Sequence, residues 1–520
     1  MYDYKALEEK WNRIWNNNKT FKMLRDRLKP PFFAMCGYNS PSIDSYIKMD
    51  AYARYMRLRG YNVLFPAIKD LEIYRKNGIG MDYTKCISDT FMYKSKIQIL
   101  NYLVENNVVE AIKMDNVVTY RADIKEFYDI IDKMILPDST DSVRKEFFKL
   151  EEGYNLYFQT KKNDAIIRVF SSEIEKLFLS TFVILPYNSE MAKNVMEDDE
   201  YQDYLDYIEN PIEDELIFSG NYIYNPVTEQ NMPIFIGVID NPYIAAPSLD
   251  ELAMKYASKY DLDVMSIDYF DDFSLHLRKQ AYNILDPLNI LEPATLNNAF
   301  YMDIAVKEKD EYTFFDCFNG IGFILAPIAS TIDLDINVID YKDEINKWLP
   351  LDIYLFQDAK ELINSLFIHH LLHKVDFIHN NIFAKKIIYQ NPKIIHNYDN
   401  VDENRLMVFA NVNEDVANSI LNSIWMFYRR NLSNKFIELD ASYNQLKKDV
   451  KQAYDARDYN MVMAYLTRFM TLSNEKKGIS DEQALGVLKM LSPITPYIAE
   501  EIYQTVFNNL DTIAYEVWPL

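Results

Sequence analysis

The sequence predicts an α/β protein: a doubly wound parallel sheet, interrupted by a β-rich insertion and followed by a bundle of helices. Three observations predict it. Phe32–Cys36, Ser45–Arg59 and Tyr61–Phe65 read as strand, helix and strand, the helix being stopped by Gly60, and this is how a parallel sheet opens. Residues 145–265 carry many short apolar runs separated by turn residues. From Val401 onward the apolar residues recur at helical spacing. A chain of 520 residues has room for several domains, and the pattern sets boundaries at 1–144, 145–265, 266–400 and 401–520.

Composition narrows the function. Lys and Arg number 55 against 78 Asp and Glu, a net charge of −23 that disfavours broad, non-specific binding to nucleic acid while leaving room for a local basic patch. Glycine is scarce, at 11 residues. Loops that cradle phosphate need backbone that approaches the ligand closely and takes positive φ, so few such loops are expected. A biased genome composition would deplete glycine as well. Cys36, Cys86 and Cys317 are far apart and form no C-x-x-C pair, which argues against a zinc site or a disulfide framework and fits a reducing, cytoplasmic location. Neither a signal peptide nor a membrane span is expected.

In chain order, Ala6–Trp15 is an amphipathic helix. Phe91–Asn107 resembles a helix of the family named below, and Asn116–Arg121 follows it. The stretch Glu197–Glu209, EDDEYQDYLDYIE, is an exposed acidic face or loop. Trp348–Lys374 resembles a strand and helix of the family named below. His369, His370 and His373 cluster on that helix. His369 and His373 have an i, i+4 metal-ligand spacing, but with no H-E-x-x-H and no further ligand they read as core or surface histidines, and no metal site is expected.

Several segments resemble the leucyl-tRNA synthetases, which are class I aminoacyl-tRNA synthetases. They are ALEEKWNRIWNNNKTFK at the start, FFAMCGYNSPS with YIKMDAYARYMRLRGYNVLFP, FSGNYIYNPVTEQNMPIFI at Phe218–Ile236, LSPITPYIAEEIYQ at Leu491–Gln504, and YEVWP at Tyr515–Pro519. The order and spacing of these segments carry the resemblance. It implies a Rossmann-like synthetase domain, an inserted editing-like domain and an anticodon-binding-like helical bundle, with no counterpart of the family's small C-terminal domain.

The departures are as informative. Between Ser42 and Tyr46 the family carries a Gly-rich loop with the HIGH signature, whereas this chain has Ile43, Asp44 and Ser45. Asn116–Arg121 stands where a zinc module would begin and holds no cysteine. The family's D-x-F-x-D-S-S-W segment corresponds to FDCFNGIGF at Phe315–Phe323, where Asp316 and Phe318 match and Gly320, Ile321 and Gly322 do not. Phe356, Gln357, Asp358 and Lys360 replace family glycines and a Glu-His pair. The KMSKS region corresponds to Phe383–Val401, whose Lys385, Lys386 and Lys393 make no K-x-S-K pattern. In the insertion, Ser171 and Ser172 remain of a Thr-rich editing segment. Asp250 and Glu251 match the editing helix, while Leu249, Leu252 and Ala253 replace His, Arg and the Asp that holds the substrate's amino group.

The resemblance therefore implies remnant sites. Met35, Tyr38, Ser40, Ser42, Asp70 and Asp316 are the amino-acid and nucleotide candidates, although Ser42 and Asp44 also read as helix caps, and an Asp at a helix N-terminus repels phosphate. Ser171, Ser172 and Asp250 are the editing remnant, with Asp250 also readable as a helix-start residue. Arg429, Arg430, Lys447, Lys448 and Lys451, interleaved with Tyr428, Tyr443 and Tyr454, are the tRNA-binding candidates, or a solvated helix face. No catalytic residue is assigned. The expectation is a synthetase-like protein that has lost ATP-dependent leucine activation and editing and binds tRNA, an amino acid or a protein partner. An active divergent leucine–tRNA ligase, which would use ATP, and a structural or regulatory subunit are the alternatives.

Overall fold

The computed structural model describes residues 4–23, 28–37, 42–66, 78–80, 89–114, 116–134, 136, 138–266, 270–297, 299–330, 337–390, 400–430, 440–476 and 478–519. The chain divides into two compact units, Met1–Val143 with Tyr301–Leu520, and Arg144–Phe300.

In the first unit, four parallel strands lie in the order Ile387–Tyr389, Ile353–Phe356, Pro31–Cys36, Asn62–Leu64. Ala34, Met35 and Cys36 stand opposite Ile353, Tyr354 and Leu355. Pro31–Cys36 is buried from its second residue onward, which is why it reads as an unbroken apolar run. The Ile43–Leu58 helix crosses from this strand to Asn62–Leu64. Thirteen of its sixteen residues are buried, because the sheet covers one side and the C-terminal bundle another. The chain adds strand Ile353–Phe356 on the far side of Pro31–Cys36, so the strand order reverses between these two. Open parallel sheets bind ligands at such a reversal, beyond the strands' carboxyl ends.

A second sheet of this unit is antiparallel, in the order Glu311–Phe314, Tyr301–Glu308, Val117–Asp123, Val109–Met114. Asn116–Arg121, which holds no cysteine, falls largely within this sheet, where Val117 pairs with Met114 of the neighbouring strand. The bundle comprises Val401–Ala410, Glu414–Arg430, Asp440–Ala456, Tyr459–Glu475, Asp481–Leu491 and Pro496–Thr505. The N-terminal helix, Tyr4–Asn18, lays Trp11 and Trp15 against Tyr497 of the last of these.

The second unit contains a four-stranded sheet, Tyr243–Ala245, Phe182–Pro186, Gln230–Gly237, Leu216–Asn225, and a three-stranded sheet, Leu291–Asn297, Leu150–Gln159, Ile166–Ser171. Leu291–Asn297 pairs along the whole of its length with Leu150–Gln159, and the Phe270–Leu285 helix packs on the same core. That pairing lies within the compact unit that runs to Phe300. No helix among the described residues is long and apolar enough to cross a membrane.

Candidate functional site: the strand-order reversal and its helix N-termini

Two helices begin at the strand-order reversal, and each presents backbone N–H groups there. Such N-termini are ready anion seats. Here both are filled by side chains of the protein. At the first, Ser42 occupies the N-cap position, but its hydroxyl makes no bond to the helix backbone. Gln357, just beyond strand Ile353–Phe356, reaches across instead. Its Oε1 accepts from the Ser42 amide at 2.8 Å, and its Nε2 donates to Ser42 Oγ at 2.7 Å and Ser45 Oγ at 2.8 Å. Asp44 lies in the same first turn with 3 % of its surface exposed, so a negative charge already sits at the positive end of the helix dipole.

The second N-terminus is that of the Ala359–Lys374 helix. Asp358 caps it, accepting from Lys360 N at 2.9 Å, and Glu361 occupies its first turn. Glu361 is buried, and Tyr354 OH donates to its carboxylate. A side chain built on Gly37 would collide with that carboxylate, so glycine at 37 leaves room for Glu361. Burial pushes the Cys36 thiol well up, and the charge of Glu361 adds to the shift.

The amino-acid and nucleotide candidates distribute unevenly. Met35 is fully buried within its strand. Asp316 begins the Asp316–Ser330 helix, pairing with Lys360 Nζ at 3.1 Å. Phe318, two residues on, is wholly buried. Tyr38, Ser40 and Asp70 lie outside the described residues, as does Lys393. Of the other lysines in the KMSKS-like region, Lys385 pairs at 2.7 Å with Asp352, which precedes its strand. Lys385 therefore sits at the amino ends of the strands, the edge away from the reversal. Lys386 accepts the amide of Tyr354 through its carbonyl. His369 is a core residue packed against Phe383, and burial lowers its imidazole to about 4. His370 stacks on Phe127, and His373 bonds the Ile378 carbonyl.

In the second unit, Ser171 Oγ accepts from Glu173 N, while Ser172 Oγ donates to Glu151. Asp250 caps the Glu251–Tyr260 helix by accepting from Ala253 N at 2.8 Å. Ala253 is fully buried beside Phe182 and Phe235, while Leu249 and Leu252 are exposed.

In the bundle, Lys448 and Arg429 are exposed, the latter with its guanidinium 5.5 Å from the Trp425 ring. Lys447 lies over Tyr443, and Lys451 pairs with Asp455 at 2.9 Å. The side chain of Arg430 lies outside the described residues. The interleaved tyrosines face inward: Tyr428 OH donates to Ala484 O and Tyr454 OH to Met490 O, and burial raises both phenols. They are core residues and offer no stacking platform to bases. An open groove of about 860 Å³ lies nearby, floored by Leu446, Met463 and Phe469 and rimmed by Asp449, Arg468 and Glu475.

Sequence reasoning noted Gln357 as a substitution without seeing its role, and it missed Glu361, Tyr354, Asp50 and Arg405. The last two could have been found as charges inside helices with no polar face.

Comparison with known proteins agrees with this architecture. Residues 149–284 match the family described as "Leucyl-tRNA synthetase, editing domain", and residues 437–520 match the "Anticodon-binding domain of tRNA ligase". Among curated proteins, a leucine–tRNA ligase of Mycoplasma mycoides subsp. mycoides SC is 20 % identical over 739 aligned positions, which take in all of this chain and 91 % of that protein. Since the chain has 520 residues, its shortening lies within the aligned span. Among solved structures, the agnB2 LeuRS–tRNA–LeuAMS ternary complex of Agrobacterium radiobacter K84 aligns with a TM-score of 0.62 and 14 % identity, covering all of this chain and 90 % of that one, a likeness of fold. Taken together, the two matched domains, the aligned relative and the fold make this chain similar to the leucyl-tRNA synthetases along its whole length, at a shorter total length.

Proposed function

We propose that this protein acts in tRNA biology by binding tRNA through its helical bundle, and that it neither activates leucine with ATP nor edits charged tRNA. The observation that carries the proposal is Gln357, which fills the N-terminus of the Ile43–Leu58 helix with three hydrogen bonds. Activation of an amino acid needs a polyphosphate held by backbone amides and cations at this end of the sheet. Here the neighbouring groups are Asp44, Asp358 and Glu361 with a single cation, Lys360, itself paired with Asp316, and Lys385 is drawn to the opposite edge by Asp352. This excess of carboxylates repels a nucleotide's phosphates. Loss of editing is supported by Ala253, a buried methyl that cannot hold an ammonium group, and by Asp250, which is engaged as a cap.

The tRNA reading is supported by the match of residues 437–520 to an anticodon-binding domain and by the exposed Arg429 and Lys448. Binding of an amino acid or a protein partner is compatible with the same loss, and we propose no specific one. The opposing reading, an active ligase, draws on the curated leucine–tRNA ligase that aligns with the whole chain. Leucine-dependent ATP–pyrophosphate exchange separates the two. The expected result is a rate equal to the no-enzyme blank, together with tRNA binding that weakens as salt rises. Exchange above the blank would overturn the proposal.

A further inference from the structure

The Ile43–Leu58 helix is held along its length by the bundle. Tyr459 OH donates to Lys48 O at 2.8 Å. Asp50, fully buried, receives Arg405 at 2.7 Å, Arg54 at 2.8 Å and the Gly80 amide at 2.7 Å. Arg54 also donates to Gly78 O. Tyr55 stacks on Tyr454 with centroids 4.6 Å apart, and its hydroxyl donates to Asp455. The Trp518 amide, near the chain's end, donates to Leu58 O at 2.7 Å.

Arg405 extends this grip into the bundle. It is wholly buried, and it donates to the carbonyls of Ile494 and Pro493 at the joint between the last two long helices. One turn earlier, Asp402 accepts from the amides of Tyr497 and Ile498, and Tyr497 OH donates to Asn12 of the N-terminal helix. Two of the chain's few glycines are placed here: a side chain on Gly78 would strike the Tyr497 ring, and one on Gly80 would strike Phe21 and Arg54.

Burial pushes the Asp50 carboxyl up, but Arg54 and Arg405 outweigh it and hold it ionised. A buried, multiply bonded ion cluster tolerates little displacement, because any parting of its members leaves a charge in a dry interior. Eight residues toward the N-terminus, about 12 Å at the helical rise, the same helix ends at Ser42 and Ser45 under Gln357. We infer that this helix is a rigid transmission element, through which a macromolecule bound on the bundle alters the Gln357–Ser42–Ser45 contact at the strand-order reversal. It needs two bonded ends and a stiff middle, and all three are present.

The inference rests in part on the tRNA-binding reading, and the test separates the two. Hydrogen–deuterium exchange is followed on the full chain in peptides covering residues 42–47, 353–358, 401–520 and the second unit. The variants are Arg405→Gln and the milder Tyr459→Phe, which removes only the hydroxyl bonded to Lys48. Without any ligand, both variants should raise exchange several-fold in 42–47 and 353–358 and leave the second unit unchanged. A rise confined to 401–520 in Tyr459→Phe overturns the coupling. Unfractionated tRNA is then added. Slower exchange at 42–47 in the wild type, absent in Tyr459→Phe, supports coupling to the bound state. Slower exchange in the bundle with 42–47 unmoved overturns it. No change in any peptide overturns the tRNA reading, while the ligand-free comparison still decides the coupling.

Discussion

Residue by residue, the candidate site is a set of charges and amides that satisfy one another. Gln357→Ala removes three hydrogen bonds at once, leaves Ser42 N without its acceptor, and should lower stability by about 1–2 kcal/mol in urea unfolding. Asp402 makes a pH-dependent prediction. Burial raises its carboxyl to about 6, against the opposing pull of Ile498 N, Arg405 and Tyr497 N. In the unfolded chain the carboxyl returns to its ordinary value near 3.8. The folded state therefore binds the proton more tightly. Its contribution is complete below pH 4 and is lost as pH rises to 6, by up to about 3 kcal/mol. Asp402→Asn should flatten the fall in stability over that window relative to wild type, as read by thermal unfolding at each pH. Asp50 acts with the opposite sign: its lowered carboxyl stabilises at neutral pH and loses that contribution on acidification. The sequence made the departures legible, since Ile43–Ser45, Ala253 and Gly320 differ from the residues that the resembled family carries there. It could not show that Gln357 bonds Ser42 or that Glu361 packs against Gly37, because those contacts join residues more than three hundred positions apart, and no local pattern encodes them.

At the level of elements, periodicity and family segments sufficed for what is local. The Tyr4–Asn18 helix, the strand Pro31–Cys36 and the Ile43–Leu58 helix all overlap the segments read from sequence. What periodicity could not supply was the environment of the Ile43–Leu58 helix. Its polar residues fall on no single face; Asp50 and Arg54 are buried because partners from the bundle and from Gly78–Gly80 satisfy them, while Ser45 is bonded by Gln357. Two glycines next to this helix should differ in tolerance. Gly60 has φ of +84° with no atom within 4 Å of an added side chain, so Gly60→Ala bears only the left-handed backbone cost, about 1 kcal/mol. Gly78 has φ of +63°, and a Cβ added there would come within 2.5 Å of the Tyr497 ring, so Gly78→Ala adds a collision and should cost about 2–4 kcal/mol. Equal melting temperatures for the two variants would refute the close packing described at Tyr497.

For the whole molecule, the distribution of charge matters more than its total. The Arg144–Phe300 unit carries 12 Lys and Arg against 28 Asp and Glu, so it supplies −16 of the net −23. A surface of that sign repels a polyanion, and any tRNA contact is expected to fall on the first unit. Replacing Arg429 or Lys448 by Ala should each weaken tRNA binding and reduce the slope of log affinity against log salt by about 1. An unchanged slope would show that these residues touch no phosphate.

The Gln357 side chain is, in effect, a ligand that the chain always carries with it. Its tether keeps it beside its seat at an effective concentration that depends on chain geometry and not on supply, and well-placed intramolecular groups act at concentrations far above those of dissolved metabolites. A nucleotide approaching the same helix end would have to displace a competitor that dilution does not remove. Raising ATP in an assay therefore offers little leverage, and the switch that could open this seat is a displacement of the strand, the helix or the bundle behind it.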